Sequence, residues 1–248
     1  MKKSLLFLFL VLFAICLSAQ TPVLPLGSGT AEDPFQIGSY ENLIWISYPN
    51  TINGLTYGQR LQKHYLQTAN ITAPSGTAYN WKPIGKGILQ DSGMQTIEVE
   101  YFFEGVYDGN SFSISNLHAN NVTSSQTFCF GFFGGTSNAV IKNINLINVN
   151  FIDCQVITAA LCGISRSTII ENCTVTGIIN NSYNNINIGF VKLLDNSTIK
   201  NSYSTCMNSN FEYIPLIGQT ENHIQFINSF YPYIEGELIS YGALDLSI

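Results

Sequence analysis

The sequence predicts an all-β chain wound as a parallel β-helix, a solenoid, with a short N-terminal capping helix. Three observations carry that reading. The composition joins 26 Asn and 20 Gly to abundant Ile, within 46% hydrophobic and only 10% charged residues, a mixture of turn formers and β-branched residues that suits many short strands and tight bends. One pattern recurs from residue 111 onward, as Ile114-Ser115-Asn116, Ile141-Lys142-Asn143, Ile170-Glu171-Asn172, Ile199-Lys200-Asn201 and Phe226-Ile227-Asn228, with the asparagines 27, 29, 29 and 27 residues apart. Gly134, Gly163, Gly189 and Gly218 precede four of the copies by 9, 9, 12 and 10 residues. The third observation is alternation: Ile144 and Leu146 flank polar Asn145, and Cys173 and Val175 alternate with Thr174 and Thr176. Period 2 denotes strands, and self-similarity at a fixed period of this size denotes stacked units. No unit holds a helical segment between its strands. Each unit is then one coil, its inward side chains stacking on the next while backbone hydrogen bonds run between coils.

The chain opens with Lys2 and Lys3, an apolar run from Leu5 to Ile15, and Leu17-Ser18-Ala19, which is the layout of a signal peptide over residues 1–19. A lipoprotein reading would acylate Cys16, but Ile15 stands where such signals carry a small residue. Removing that segment takes two lysines and leaves 8 basic against 16 acidic side chains. Nucleic-acid binding is disfavoured, because it needs clustered Lys and Arg. Beyond the leader no apolar run approaches the ~20 residues that cross a bilayer. The mature chain is therefore expected to be secreted or held at the cell surface, without spanning a membrane.

Residues 20–110 read as an N-terminal cap and opening coils. Gly27-Ser28-Gly29-Thr30 leads into Asp33-Pro34-Phe35-Gln36-Ile37, after which Ser39 caps a short helix through Tyr40, Leu43, Ile44 and Ile46 that Pro49 ends. Laid over the first coil, such a helix covers an otherwise open sheet edge. Segments His64 to Ile71, Trp81 to Gly85 and Phe102 to Asn110 read as strands and turns, with Asp108-Gly109-Asn110 a turn rather than a calcium loop. Residues 111–232 are repeat coils of 27–29 residues. Residues 233–248 form a C-terminal segment that closes or extends the solenoid. Around it Phe230, Tyr231, Tyr233, Ile234, Leu238 and Ile239 are accompanied by few charges. A fold-back plug and a contact with another chain are both compatible with that, and partner contact or self-association through the C-terminal edge is the favoured expectation.

Asn116, Asn143, Asn172, Asn201 and Asn228 are read as a structural ladder. Asparagine tolerates the left-handed conformation at a sharp bend, and its amide can bond along a stack. The amide of a central member such as Asn172 is expected to point inward. Cys129, Cys154, Cys162, Cys173 and Cys206 are odd in number, so one stays unpaired in a monomer. They form no Cys-x-x-Cys, and His64, His118 and His223 are remote from them in sequence. No metal or other cofactor is expected, and the cysteines read as small buried hydrophobes.

The series Asp33-Pro34-Phe35-Gln36-Ile37, Pro83-Ile84-Gly85, Phe103-Glu104-Gly105-Val106-Tyr107-Asp108-Gly109-Asn110 and Ile114-Ser115-Asn116-Leu117, followed by Gly131-Phe132-Phe133-Gly134 and Ala160-Leu161-Cys162-Gly163, resembles secreted bacterial proteins with GLUG-type repeats. The resemblance covers roughly residues 27–232 and implies a right-handed parallel β-helix in exported, often surface-associated proteins, some of them adhesin-like and a few attached to peptidase domains. The Gly-Leu-x-Gly element is degenerate here, surviving as Phe132-Phe133-Gly134, Leu161-Cys162-Gly163 and Leu216-Ile217-Gly218.

No catalytic constellation stands out. Lyase chemistry wants a base and a cationic group beside it, yet Arg60 and Arg166 lie far apart in the chain. Hydrolases want paired carboxylates, and Glu98 with Glu100 is better read as a solvated strand face. The leading expectation is a non-catalytic surface module for adhesion or binding, with a glycan or cell-surface protein as partner. The alternative is a carbohydrate-active β-helix, either polysaccharide lyase or glycoside hydrolase. Two residues after each ladder asparagine stand His118, Asn145, Thr174, Tyr203 and Phe230, so Tyr203 and Phe230 are candidate ligand-contact aromatics. They face solvent only if the late coils, with Ser202 and Ser229 at the preceding position, keep register. Burial through a change of register is the favoured expectation.

Overall fold

The computed structural model describes residues 21–76, 79–86, 101–122, 129–154, 157–180 and 187–229. The signal-like segment 1–19, Glu98, Glu100, Phe230 and residues 233–248 lie outside the described residues. The chain is a parallel β-solenoid of about six turns with few helices. One face is a seven-stranded parallel sheet: Phe35–Ile37, His64–Gln67, Val106–Asp108, Val140–Lys142, Ile169–Glu171, Thr198–Lys200 and Gln225–Ile227. A second face stacks Ile71–Thr72, Ser113–Ser115, Asn145–Ile152, Thr174–Asn180 and Tyr203–Met207, with His118–Asn120 also on Asn145–Ile152. A third stacks Phe133–Ser137, Cys162–Arg166, Val191–Asp195 and Ile217–Glu221.

Inward positions form continuous columns because the coils are in register. On the first face Phe35, Tyr65, Tyr107, Ile141, Ile170, Ile199 and Phe226 pair in sequence. The early members are aromatic and stack, Phe35 on Tyr65 at 5.8 Å and Tyr65 on Tyr107 at 6.3 Å. Later coils carry smaller groups. At the turn onto the second face Ile144 and Cys173 give way to Ser202 and Ser229, whose hydroxyls accept from the backbone N–H groups of Cys173 and Ser202 on the preceding coil. The buried polar atoms are thereby satisfied.

Two helices close the N-terminal end. The first, α1, spans Tyr40–Ser47 with Ser39 as N-cap in a capping box with Asn42, as the sequence indicates. Trp45 packs on Phe35 at 5.1 Å, closing the end of the core. The second, α2, spans Tyr57–Leu61, with Thr56 and Gln59 making the same reciprocal cap. It was not expected, although Thr-x-x-Gln is its signature. Arg60 on α2 is fully buried. Its guanidinium donates to the carbonyls of Leu55, Tyr48 and Asn50 and lies over the Trp45 and Tyr57 rings at 5.4 and 5.7 Å.

Register between coils revises the repeat in two places. Ile114 pairs with Leu146, not Ile141, so Ile114-Ser115-Asn116 belongs to the second face and Tyr107 occupies the first-face position. The spacing of Asn116 to Asn143 is a coincidence between two different bends. Likewise Cys162 pairs with Phe133 and Val191, which sets Lys192, not Gly189, beside Gly163. Gly134 and Gly163 are needed there, because a Cβ at either would stand within 2.4 Å of Gly85 O or 2.7 Å of Cys129 Cβ. Between Tyr65 and Tyr107, Lys86 and Tyr101 form an antiparallel bridge.

Candidate functional site

The corners place the ladder residues. Asn143, Asn172, Asn201 and Asn228 all have left-handed φ, between 48 and 56°, a conformation that costs other L-residues roughly 1–2 kcal/mol. Each donates its Nδ2 to the residue one coil earlier: Asn228 to Asn201 at 3.3 Å, Asn201 to Asn172 at 3.2 Å and Asn172 to Asn143 at 3.1 Å. Asn143 donates to Asp108 Oδ1 at 2.9 Å. The row therefore ends on a carboxylate, and Asn116 is not a member: Asn116 Oδ1 accepts from Asn148 at 2.8 Å. Asn172, Asn201 and Asn228 are exposed and Asn143 half-buried, so the row runs along the stack rim rather than inward. A second left-handed column, Asn138, Ser167, Asn196 and Asn222, turns the third face into the first. Its signal was the Ser or Asn five or six residues before each first-corner asparagine.

Outside the first face, charges alternate along one column. Lys142 meets Asp108 at 3.3 Å and Lys200 meets Glu171 at 2.6 Å. Burial alone would raise the Asp108 pKa, but the Asn143 amide, the Asn110 N–H and Lys142 outweigh it and hold the carboxyl below its ordinary value. All five cysteines are buried, and Cys154, Cys162, Cys173 and Cys206 are free thiols. Burial pushes the Cys162 and Cys173 thiols up to about 12 and that of Cys206 to about 11. No cluster of three or more His, Cys, Asp or Glu suited to a metal occurs among the described residues. No helix among them is long and apolar enough to cross a membrane.

The second face offers the most developed recognition surface. Ser113, Asn145, Thr174 and Tyr203 pair in one outward column. His118 does not join it but pairs with Asn150, a consequence of the displaced Asn116. Ser202 and Ser204 on either side of Tyr203 are buried while Tyr203 is 37% exposed, so the late coil keeps register and the aromatic faces outward, against the expected burial. Serines fill the inward sites without slippage because their hydroxyls find backbone partners. Thr174 Oγ1 donates to Asn145 Oδ1 at 2.5 Å, which orients the Asn145 amide hydrogens away from the threonine.

Beyond the Tyr203–Met207 strand the chain turns back, and Met207 bridges Tyr213 in antiparallel fashion. At the turn sits Phe211, 71% exposed with φ of 63°, an outlier for a bulky residue. Asn208 holds the turn: its Oδ1 accepts from the Asn210 and Glu212 N–H groups at 2.9 and 3.0 Å, and its Nδ2 donates to Glu212 at 2.7 Å. Phe211 escaped the sequence reading, since nothing in Asn-Ser-Asn-Phe-Glu marks the aromatic as the residue forced outward.

Fold and surface together define a parallel β-solenoid with a polar, aromatic-tipped outer face. A crystal structure from Bacteroides ovatus, of a protein with a provisional immunoglobulin A1 protease assignment, superposes with a TM-score of 0.58 at 15% identity, over 84% of this chain and 59% of that one. That likeness is one of fold. In sequence the chain is similar to halomucin of Haloquadratum walsbyi, 28% identical over 154 residues, which is 62% of this chain and 2% of halomucin. The chain thus spans a small part of that relative and just over half of the structural one. No protein-family model matches the chain.

Proposed function

We propose that this is a secreted or cell-surface β-solenoid of GLUG-like type that binds a glycan without turning it over. The observation that carries the proposal is the column Asn145, Thr174 and Tyr203, with Phe211 on the adjoining turn. Parallel strands ~4.8 Å apart present amide and hydroxyl groups at even intervals, a spacing suited to a repeating polar polymer. The aromatic rings add apolar area against which sugar faces pack. The turn that carries Phe211 is held by Asn208, so its backbone needs no ordering on binding. The signal-like residues 1–19 and the likeness to halomucin support an extracytoplasmic setting.

The test is depletion and calorimetry with a panel of neutral and acidic polysaccharides. The expected result is binding to at least one, weakened about tenfold by joint Tyr203→Ala and Phe211→Ala substitution, in line with ~1.4 kcal/mol of aromatic contact. Binding to none overturns the glycan assignment. Turnover of any substrate, abolished by one carboxylate substitution, replaces it with the carbohydrate-active reading.

A further inference from the structure

A cavity of about 330 Å³ lies beside the end of α1, remote in sequence from the glycan face. Pro49, Trp81, Pro83, Val122 and Phe130 give it apolar walls, and Lys82 and Lys86 are the charged residues lining it. We propose that this cavity binds a small organic carboxylate with an apolar, ring-like body. The proposal stands independently of the glycan reading.

The walls are built rather than incidental. Trp81 is locked by its Nε1 donating to Gly131 O at 2.9 Å and by stacking on Phe132 at 5.4 Å with an 11° interplanar angle. The segment carrying both lysines is pinned along its length: Trp81 N–H donates to His118 O at 2.8 Å, Ile84 N–H to Phe132 O at 3.1 Å, and Gly85 N–H to the Tyr57 hydroxyl at 2.9 Å. Lys86 itself bridges Tyr101. A preformed apolar pocket with a few directed polar groups is the usual form of a small-molecule site.

The charge pattern selects the ligand. The chain is acidic, yet among the described residues no carboxylate lines this cavity and none pairs with Lys82 or Lys86, whereas Lys142 and Lys200 each meet an acid. The end of α1 would ordinarily present carbonyl oxygens that repel an anion. Here the buried Arg60 guanidinium donates to the Tyr48 and Asn50 carbonyls just past the helix, which sets a fixed positive charge close to that end. Two cationic residues in an otherwise apolar lining fit a carboxylate head on an apolar body.

The probes are 2-naphthoate and its neutral counterpart 2-naphthalenemethanol, titrated calorimetrically into the full chain. The acid is expected to bind about tenfold more tightly than the alcohol, an advantage shrinking with added salt as a partly exposed ion contact does. Lys82→Gln with Lys86→Gln is expected to erase the difference while leaving the alcohol's affinity and the urea midpoint unchanged. Tyr203→Ala is expected to leave both probes unaffected. Equal affinity for acid and alcohol in the unaltered protein, or an advantage that survives loss of both lysines, overturns the proposal. So does the absence of measurable binding by either probe.

Discussion

Asn143 donates its side-chain amide to the Asp108 carboxylate at 2.9 Å, and three further asparagine amides line up behind it, all pointing the same way. Aligned amides polarise one another, and the anion at the accepting end favours that direction. Lys142 on the other carboxylate oxygen fixes its position.

Asp108 should therefore give the fold an acid-sensitive component. Its carboxyl titrates lower in the folded than in the unfolded chain, so its contribution is full above the ordinary carboxylate range and fades as pH falls through the folded value. Asp108→Asn is expected to flatten the acid limb of stability, by under about 1 kcal/mol since the group is largely solvated. Urea unfolding at stepped pH reads this, and identical profiles for both proteins would show that the carboxylate does not anchor the row.

At Asn172 the left-handed φ of 53° should dominate. Replacement by Ala is expected to cost roughly 1–2 kcal/mol, and replacement by Gly less, because glycine accepts the conformation. Equal losses in equilibrium unfolding would instead locate the cost in the lost amide bonds.

Arg60 neutralises three carbonyls with one planar guanidinium. Arg60→Met should leave the Tyr48 and Asn50 carbonyls without their guanidinium donor, Leu55 O keeping the Ile52 N–H, at about 1–3 kcal/mol. Arg60→Lys should recover only part of this, since an ammonium lacks the fork. Thermal unfolding of the three proteins orders them, and a lysine variant as stable as the parent would contradict the argument.

The thiols of Cys162, Cys173 and Cys206 are buried, with pKa values far above neutrality. They should resist iodoacetamide at pH 8 in the folded protein and react fully in urea, because only a thiolate attacks. Peptide mass spectrometry distinguishes them; rapid labelling of Cys173 in native protein would mean that the coil opens.

Phe211 pays for its exposed position with a strained backbone. Phe211→Gly is expected to keep or raise stability by up to about 1 kcal/mol while weakening glycan binding. A destabilised glycine variant in urea would show that the ring packs on the fold instead of serving a ligand.

Much of this architecture is legible in the chain itself. Alternation around Asn145 and Thr174 specifies strands, the interval of 29 residues specifies the coil, and Ser39 with Pro49 brackets the capping helix, since each is a local consequence of backbone sterics and side-chain period. What the local pattern cannot distinguish is one bend from another. A strand with an inward isoleucine that runs into a left-handed asparagine reads as Ile-x-Asn on either face, so Asn116 reads as a member of a row whose first-face position belongs to the coil of Tyr107 and whose end is Asp108. Only hydrogen bonding between coils, a contact between residues dozens of positions apart, separated the two. The same holds for the surface. The outward turn of Tyr203 follows from serines finding backbone partners on neighbouring segments, and the exposure of Phe211 from the pairing of Met207 with Tyr213. Lys82 and Lys86 became the cationic lining of a cavity because the cap, the opening coil and Phe130 meet there, which no window of sequence contains.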